Sequence, residues 1–179
     1  MGLSHAILVC LSEEPLTGYD LAKKFESSVG FFWHATHQQI YLELRRLSTA
    51  GAIAGRAQPQ SRRPAKTIYE LTDTGRAQIR AWSRNWADPP AIKDDILLRL
   101  YDLADIDRSK LVEHLTRRRE MHAERLALYE KILSRKFADP ERLGASGIGR
   151  YLALDIGMRS ERMRLEWCAD ALKLLDIAE

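Results

Sequence analysis

The spacing of apolar residues changes twice along this chain, and those changes constrain its fold more than any other feature. Up to Gly51 they recur at three- and four-residue intervals, the stripe of short helices with one buried face. Residues 52–57 and 67–71 then read as extended runs, the second rich in the β-favouring Thr67, Ile68 and Tyr69. Beyond Pro89 and Pro90 the helical period returns and holds to the end without a strand signal. A chain built this way is mostly α (α+β), with a boundary at the double proline, which stiffens the connection and ends the helix before it. The expected domains are residues 1–88 and 89–179.

Ser4 is the expected N-cap of a first helix carrying Ala6, Ile7, Leu8 and Leu11, with Pro15 marking its end. Thr17 caps a second, with Leu21, Ala22 and Phe25 inward. Gly30 breaks it, and Phe31, Phe32 and Trp33 read as an apolar connection packed beneath the next helix.

The third helix, residues 36–51, is the most informative. Ile40, Leu44 and Leu47 form its buried stripe, Thr36 and Gln39 a capping box, and Gly51 a C′ residue. Its sides and back carry Gln38, Tyr41, Leu42, Arg45, Arg46 and Thr49, with the single acid, Glu43, nearer the buried edge. Such a face fits an ordinary solvated helix as well as a nucleic-acid reader.

The tract between the extended runs, QPQSRRPAK, is too polar to be buried and reads as a long hairpin tip displaying Arg62, Arg63 and Lys66, or as a solvated basic loop. Thr72 caps a fourth helix, with Ile79, Trp82 and Trp86 expected on one face. Charge distribution separates the readings. Residues 1–90 hold 11 Lys/Arg and 8 Asp/Glu, residues 91–179 hold 17 of each, and residues 27–66 hold six basic residues and one acid. The net charge of +3 is thus concentrated in one segment, as on a phosphate-binding surface. Three short helices followed by a hairpin with a basic tip are the order of a winged helix-turn-helix, whose third helix enters the DNA major groove while the wing follows the backbone or minor groove.

In the second half, residues 92–101 read as a short helix, and residues 107–136 as a long one with Leu111, Leu115, His122, Leu126, Tyr129 and Leu133 at about heptad spacing. Residues 138–149 read as a loop with Pro140 and glycines. The last helix, residues 146–178, carries Ile148, Tyr151, Leu152, Ile156, Met163, Trp167, Leu172 and Leu175. Two such helices cannot bury their apolar faces against each other and one short helix alone. The simplest partner is a second copy, so an all-helical dimerisation domain is expected.

Other classes are poorly served. His34 and His37 flank a helix start rather than sharing a face, and no carboxylate or Cys pair completes a ligand set, so neither a metal nor another cofactor is expected. The GASGIG segment follows no strand and lacks the Lys-Ser/Thr ending of a phosphate loop. No nucleophilic triad order is present, so an enzyme is not expected. Cys10 and Cys168 are isolated, no apolar run approaches a membrane span, and no signal peptide is apparent, which together point to the cytoplasm. A helical adaptor or a general DNA-binding protein is the remaining alternative.

The segments SHAILVCL, GYDLAKKF, QQIYLELRRL with the following GAI, KTIYELTDTG and IKDDILLRLY, with the long helices ending around Trp167, resemble the PadR family of bacterial transcriptional regulators over nearly the whole length. The C-terminal half is similar to the larger, virulence activator-type subgroup. That resemblance implies a homodimer on an inverted-repeat operator in double-stranded DNA, usually a repressor relieved by a small aromatic or apolar effector. On this reading Thr36, Gln38, Gln39 and Tyr41 lie at the groove-facing end, where Gln can contact adenine. Gln39 is equally available as the cap partner. Arg45 and Arg46 contact phosphates, Tyr19 donates to a phosphate or packs under Phe25, and Arg62, Arg63 and Lys66 hold the flanking backbone. Trp33, Trp82, Trp86 and Trp167 are candidates for an effector site, or else for core and interface packing.

Overall fold

The computed structural model describes residues 2–27, 33, 35–60, 63–89, 91 and 93–177. They form two compact units, residues 1–89 and 90–179.

The first unit begins with α1 (Gly2–Glu13), β1 (Leu16–Thr17), α2 (Gly18–Ser27) and α3 (His37–Thr49), continues through β2 (Ile53–Gln60) and β3 (Arg63–Leu71), and ends with α4 (Asp73–Trp82). The core is one apolar cluster. Ile7, Leu8 and Leu11 of α1, Leu21, Ala22 and Phe25 of α2, and Ile40, Leu44 and Leu47 of α3 meet Ala52 and Ile53. Thr17 opens α2 as expected, its hydroxyl oxygen accepting from the Asp20 amide at 3.1 Å. Ser4, by contrast, is no cap. Helix α1 already begins at Gly2, and the Ser4 hydroxyl donates across to Glu43 of α3 at 2.5 Å.

Helix α3 ends in a Schellman motif. The Ala52 amide donates to the Leu47 carbonyl and the Gly51 amide to that of Ser48, both at 3.0 Å. Gly51 sits at φ +68°, where a Cβ would strain the turn. Helix α4 is seated on this turn: the Thr72 hydroxyl donates to the Gly51 and Ala52 carbonyls at 2.7 and 2.9 Å and accepts from the Gly75 amide. A Cβ at Gly75 would lie 2.2 Å from the Ala52 carbonyl oxygen, so the close approach requires glycine.

The sheet is antiparallel in the order β1-β3-β2, making the unit a winged helix with a third, two-residue strand. Two expectations change here. The tract read as a loop is mostly ladder, since β2 and β3 stay paired out to Gln60 and Arg63. An irregularity between Gln58 and Gln60 brackets Pro59, which has no amide to donate; Pro59, Pro64 and the lack of apolar residues beyond one alanine are what give the tract the look of a loop. The strand at Leu16–Thr17, paired with Tyr69 and Ile68, was not anticipated, because two residues are too few to show a period. Trp86 is also displaced from its expected position: α4 stops at Trp82, and Trp86 lies beyond it, 83% exposed, with its indole N–H donating to Asp88 at 3.0 Å. Phe31, Phe32, His34 and Ile92 fall outside the described residues.

The second unit consists of α5 (Asp95–Tyr101), α6 (Arg108–Lys136), a 3₁₀ turn (Pro140–Arg142) and α7 (Ala145–Ile177). Asp94 and Asp107 cap α5 and α6 through their carboxylates. Helices α6 and α7 run antiparallel. Phe137 meets Tyr151, Tyr129 lies against Gly157, His122 bonds Glu161, and Leu115 shares a cluster with Cys168. Helix α7 starts at Ala145, so Gly147 and Gly149, expected in a loop, are helical. A glycine costs about 1 kcal/mol in a helix interior, a cost that the remainder of this 33-residue helix outweighs. The buried cluster is small, comprising Ile96, Leu111, Leu115, Cys168 and Leu175. No helix of the described residues is long and apolar enough to cross a membrane.

Candidate nucleic-acid interface

Burial of Ile40, Leu44 and Leu47 dictates which face of α3 points outward. Gln38, Tyr41, Leu42, Arg45 and Thr49 are all exposed there. The start of the helix is pinned by the capping box. The Gln39 amide donates to the Thr36 hydroxyl oxygen at 3.2 Å, and the Thr36 amide donates to the Gln39 side-chain oxygen at 2.8 Å. Of the two roles open to Gln39, the capping one is the role this geometry holds. A bidentate contact to adenine needs both the oxygen and the NH2 of an amide, and the oxygen is already occupied. Gln38, one position earlier, is exposed and makes no side-chain hydrogen bond among the described residues. His37 Nε2 pairs with Glu26 Oε1 at 2.8 Å, tying the first turn of α3 to the last turn of α2.

Tyr41 leans on the start of α2. A Cβ at Gly18 would lie 2.5 Å from its ring, so glycine is what lets the ring approach. This puts Tyr41 beside the turn carrying Tyr19, which is 64% exposed rather than packed under Phe25. Two phenol groups are therefore available at the junction of α2 and α3.

The two arginines of α3 differ. Arg45 is exposed and, among the described residues, has no ion pair. Arg46 is turned back: its Nε donates to both Glu43 carboxylate oxygens at 3.0 Å, and its terminal nitrogen donates to Glu43 at 2.6 Å and to the Ser4 hydroxyl at 2.8 Å. That bond to Arg46 holds the Glu43 carboxyl below its ordinary range despite the opposing effect of burial, and raises Arg46 further. Arg46, expected to contact a phosphate, is thus paired with Glu43 while its side chain stays 61% exposed. Its charge is already neutralised by an acid on the α1 side of the helix.

On the hairpin, Gln58 stands opposite Lys66, both exposed, and Arg56 pairs with Glu70 across the strands at 3.3 Å. Arg56, Gln58 and Lys66 thus share the solvent face of the wing. Arg56 lies in the run expected to be extended but is not among the expected contact residues, and reading residues 58–66 as a loop leaves Gln58 out as well. Arg62 and the side chain of Arg63 lie outside the described residues.

The tryptophans do not form one group. The Trp82 ring stacks on His5 (centroids 4.7 Å apart, planes at 11°), and Trp33 lies against Gly2, so both flank the first turns of α1. Trp86 is in solvent, and Trp167 lies on α7, 37% exposed. Among the described residues no group of three His, Cys, Asp or Glu could hold a metal ion.

Residues 7–81 match the transcriptional regulator PadR-like family, and residues 92–176 match the virulence activator alpha C-term family. A probable transcriptional regulator of Mycobacterium tuberculosis is 35% identical, with 98% of each chain covered. The negative transcriptional regulator PadR of Bacillus subtilis is 30% identical over 97% of each. Among solved structures, Bacillus subtilis PadR in complex with operator DNA superposes with a TM-score of 0.80 at 28% identity, covering 98% of this chain and 99% of that one. The same PadR in complex with p-coumaric acid gives 0.74 at 29% identity, with 97% and 95% covered. With a winged helix of this order in its first unit and relatives of this likeness along its full length, the chain belongs to the PadR family of transcriptional regulators.

Proposed function

We propose that this protein is a sequence-specific repressor that binds an inverted-repeat operator as a homodimer and leaves it when a small aromatic or apolar effector binds. The observation that carries this reading is the outward face of α3. Its start is locked by the capping box, and it presents Gln38, Tyr41 and Arg45 beside Tyr19 and a wing bearing Lys66. Gln38 reads a base edge, Thr36 and Gln39 hold the reading end in place, and Tyr19, Tyr41 and Arg45 bind phosphates. Arg62 and Arg63 extend the wing onto the flanking backbone.

The second copy is supported by α7. Ile148, Leu152, Ile156, Met163, Trp167 and Leu174 recur at four- and seven-residue spacing and stay exposed, Ile156 at 62% and Leu174 at 68%. A stripe of this length is the seam of a helical interface. Negative regulation and an aromatic effector are supported by the relative named a negative regulator and solved with operator DNA and with p-coumaric acid. Trp33 and Trp82 are the aromatic groups placed to report such a ligand, with Trp86 and Trp167 as separate reporters.

A mobility-shift titration on the DNA upstream of the protein's own gene, at two salt concentrations, tests the reading. Steep salt dependence with strong sequence preference is expected. Salt dependence without preference would make the protein a general DNA binder, and no binding would leave a helical adaptor. Quenching of tryptophan fluorescence by phenolic acids, together with release of the DNA, is the expected effector response.

A further inference from the structure

Helix α3 carries one large aliphatic side chain that the core beneath it does not use. Ile40, Leu44 and Leu47 supply the helix's share of that core and are buried. At about 100° per residue, Leu42 falls almost directly opposite them. Gln38, Arg45 and Thr49, all exposed, lie along the same outer line before and after it. Leu42 is 67% exposed, more than any other apolar residue of α3. The flanks of the helix turn elsewhere, Tyr41 toward Gly18 of α2 and Arg46 back to Glu43 and Ser4. Leu42 therefore occupies the crest of the outward face, where no rotamer can carry it into the core on the far side of the helix.

A single exposed leucine is ordinary on a protein surface; its place on the crest is what singles this one out. When the third helix of a winged helix enters the major groove, the line opposite its core stripe goes deepest and meets the base edges. Most groups on those edges are hydrogen-bond donors or acceptors. An aliphatic side chain laid over one of them strips its water and returns no bond. The C5-methyl of thymine is the apolar group that the groove offers. We infer that Leu42 is a specificity-determining residue that packs on a thymine methyl, within about two base pairs of the base assigned above to Gln38. The distance follows from a rise of 1.5 Å per residue, about 6 Å from Gln38 to Leu42, against about 3.4 Å per base pair. This deepens the proposed function and rests on it. Gln38 selects its base by hydrogen bonding, and Leu42 adds a neighbouring position by apolar contact.

Uracil tests the contact directly, because it keeps every hydrogen-bonding group of thymine and lacks only the methyl. The full-length protein is titrated against the best-bound duplex recovered from a random library, and against copies in which each thymine in turn is replaced by uracil in both half-sites. At one thymine near the position whose preference Gln38→Ala relaxes, the wild type should lose roughly fourfold per half-site, the worth of burying one methyl-sized group. Leu42→Ala should bind the thymine and uracil duplexes equally at that position. Because it trims an exposed side chain, it should keep the wild-type thermal midpoint, mass in solution and salt dependence. A wild type indifferent to uracil at every thymine overturns the inference. So does a loss that persists in Leu42→Ala, which would assign the methyl to another side chain or to duplex shape. A changed mass in Leu42→Ala would place the leucine in a protein contact and overturn it as well. In each of these cases a strong sequence preference leaves the proposed function standing, whereas a wild type that prefers no sequence overturns both.

Discussion

The two halves of this protein solve the problem of burying apolar surface in opposite ways. In the winged-helix unit, α1, α2 and α3 direct their stripes into one cluster, and Ile7, Leu8, Ile40 and Leu44 are completely buried. In the helical unit, α6 and α7 are each longer than any element of the first, yet they give four residues to a small buried cluster completed by Ile96 of α5, and leave a long stripe of α7 in solvent. Helices meeting at different angles around a sheet enclose a volume, whereas two antiparallel helices enclose only a seam. The first unit buries its stripes within one chain; the second leaves one open, where the proposed dimer would cover it.

Introducing a charge into the open stripe should break that contrast most sharply. Ile156→Asp should convert the dimer to monomer by light scattering and weaken operator binding by about a thousandfold, the loss expected when two linked half-site contacts become one. The winged-helix unit should keep its own unfolding transition. Leu44→Ala should do the reverse, removing about 3 kcal/mol from that unit by leaving a cavity, measured by urea unfolding, while the mass in solution stays that of the dimer. Within the reading face, Gln38→Ala should cost about 2 kcal/mol of discrimination at one base position in a site-selection profile. Arg45→Ala should lower the slope of log affinity against log salt by about one. Arg46→Ala should lower it less, since its charge is held by Glu43. An equal effect of the two arginines would mean that the pair opens on DNA.

The smallest expected effect is a pH dependence common to both units. Glu43 and Asp94 are each held below the ordinary carboxylate range by hydrogen bonds to Arg46 and Arg118 respectively. A depressed folded pKa stabilises the native state above the unfolded value, about 4, and that contribution disappears as pH falls through the folded value. Thermal midpoints should therefore decline below pH 4, and Glu43→Gln should flatten the decline in the first unit only. An unchanged acid profile in that variant would remove Glu43 from the account.

Much of the fold was legible because its signals are local. The stripes of α1, α2 and α3 depend on spacings of three and four, and the capping box joins residues three apart. What was misread depends on residues distant in the chain or on hidden periods. The Ser4–Arg46 contact spans 42 positions, so nothing in the sequence marks Ser4 as other than a cap, whereas Glu43, three residues before Arg46, is a local signal that this arginine is engaged. Strand β1 pairs with a partner beyond three intervening elements. The outer ladder of the wing is not legible in the sequence, because Pro59 and Pro64 interrupt a tract whose only apolar residue is one alanine. Trp86 was placed on α4 by spacing alone, and a helix end without a strong stop signal is the least secure feature to read.

By itself, then, the sequence determined where the reading helix begins and ends, which of its faces is buried, and that two long amphipathic helices follow a proline boundary. Each depends on chemistry within one or two turns of chain. Only the tertiary structure decided which polar groups on those faces are free. Ser4 is drawn to Glu43 and Arg46 of α3 from 39 and 42 positions away, and Arg118 is drawn into a stripe of leucines by an aspartate 24 positions away. The physical reason is that a side chain's availability depends on partners brought to it by folding, and a linear pattern contains no record of them.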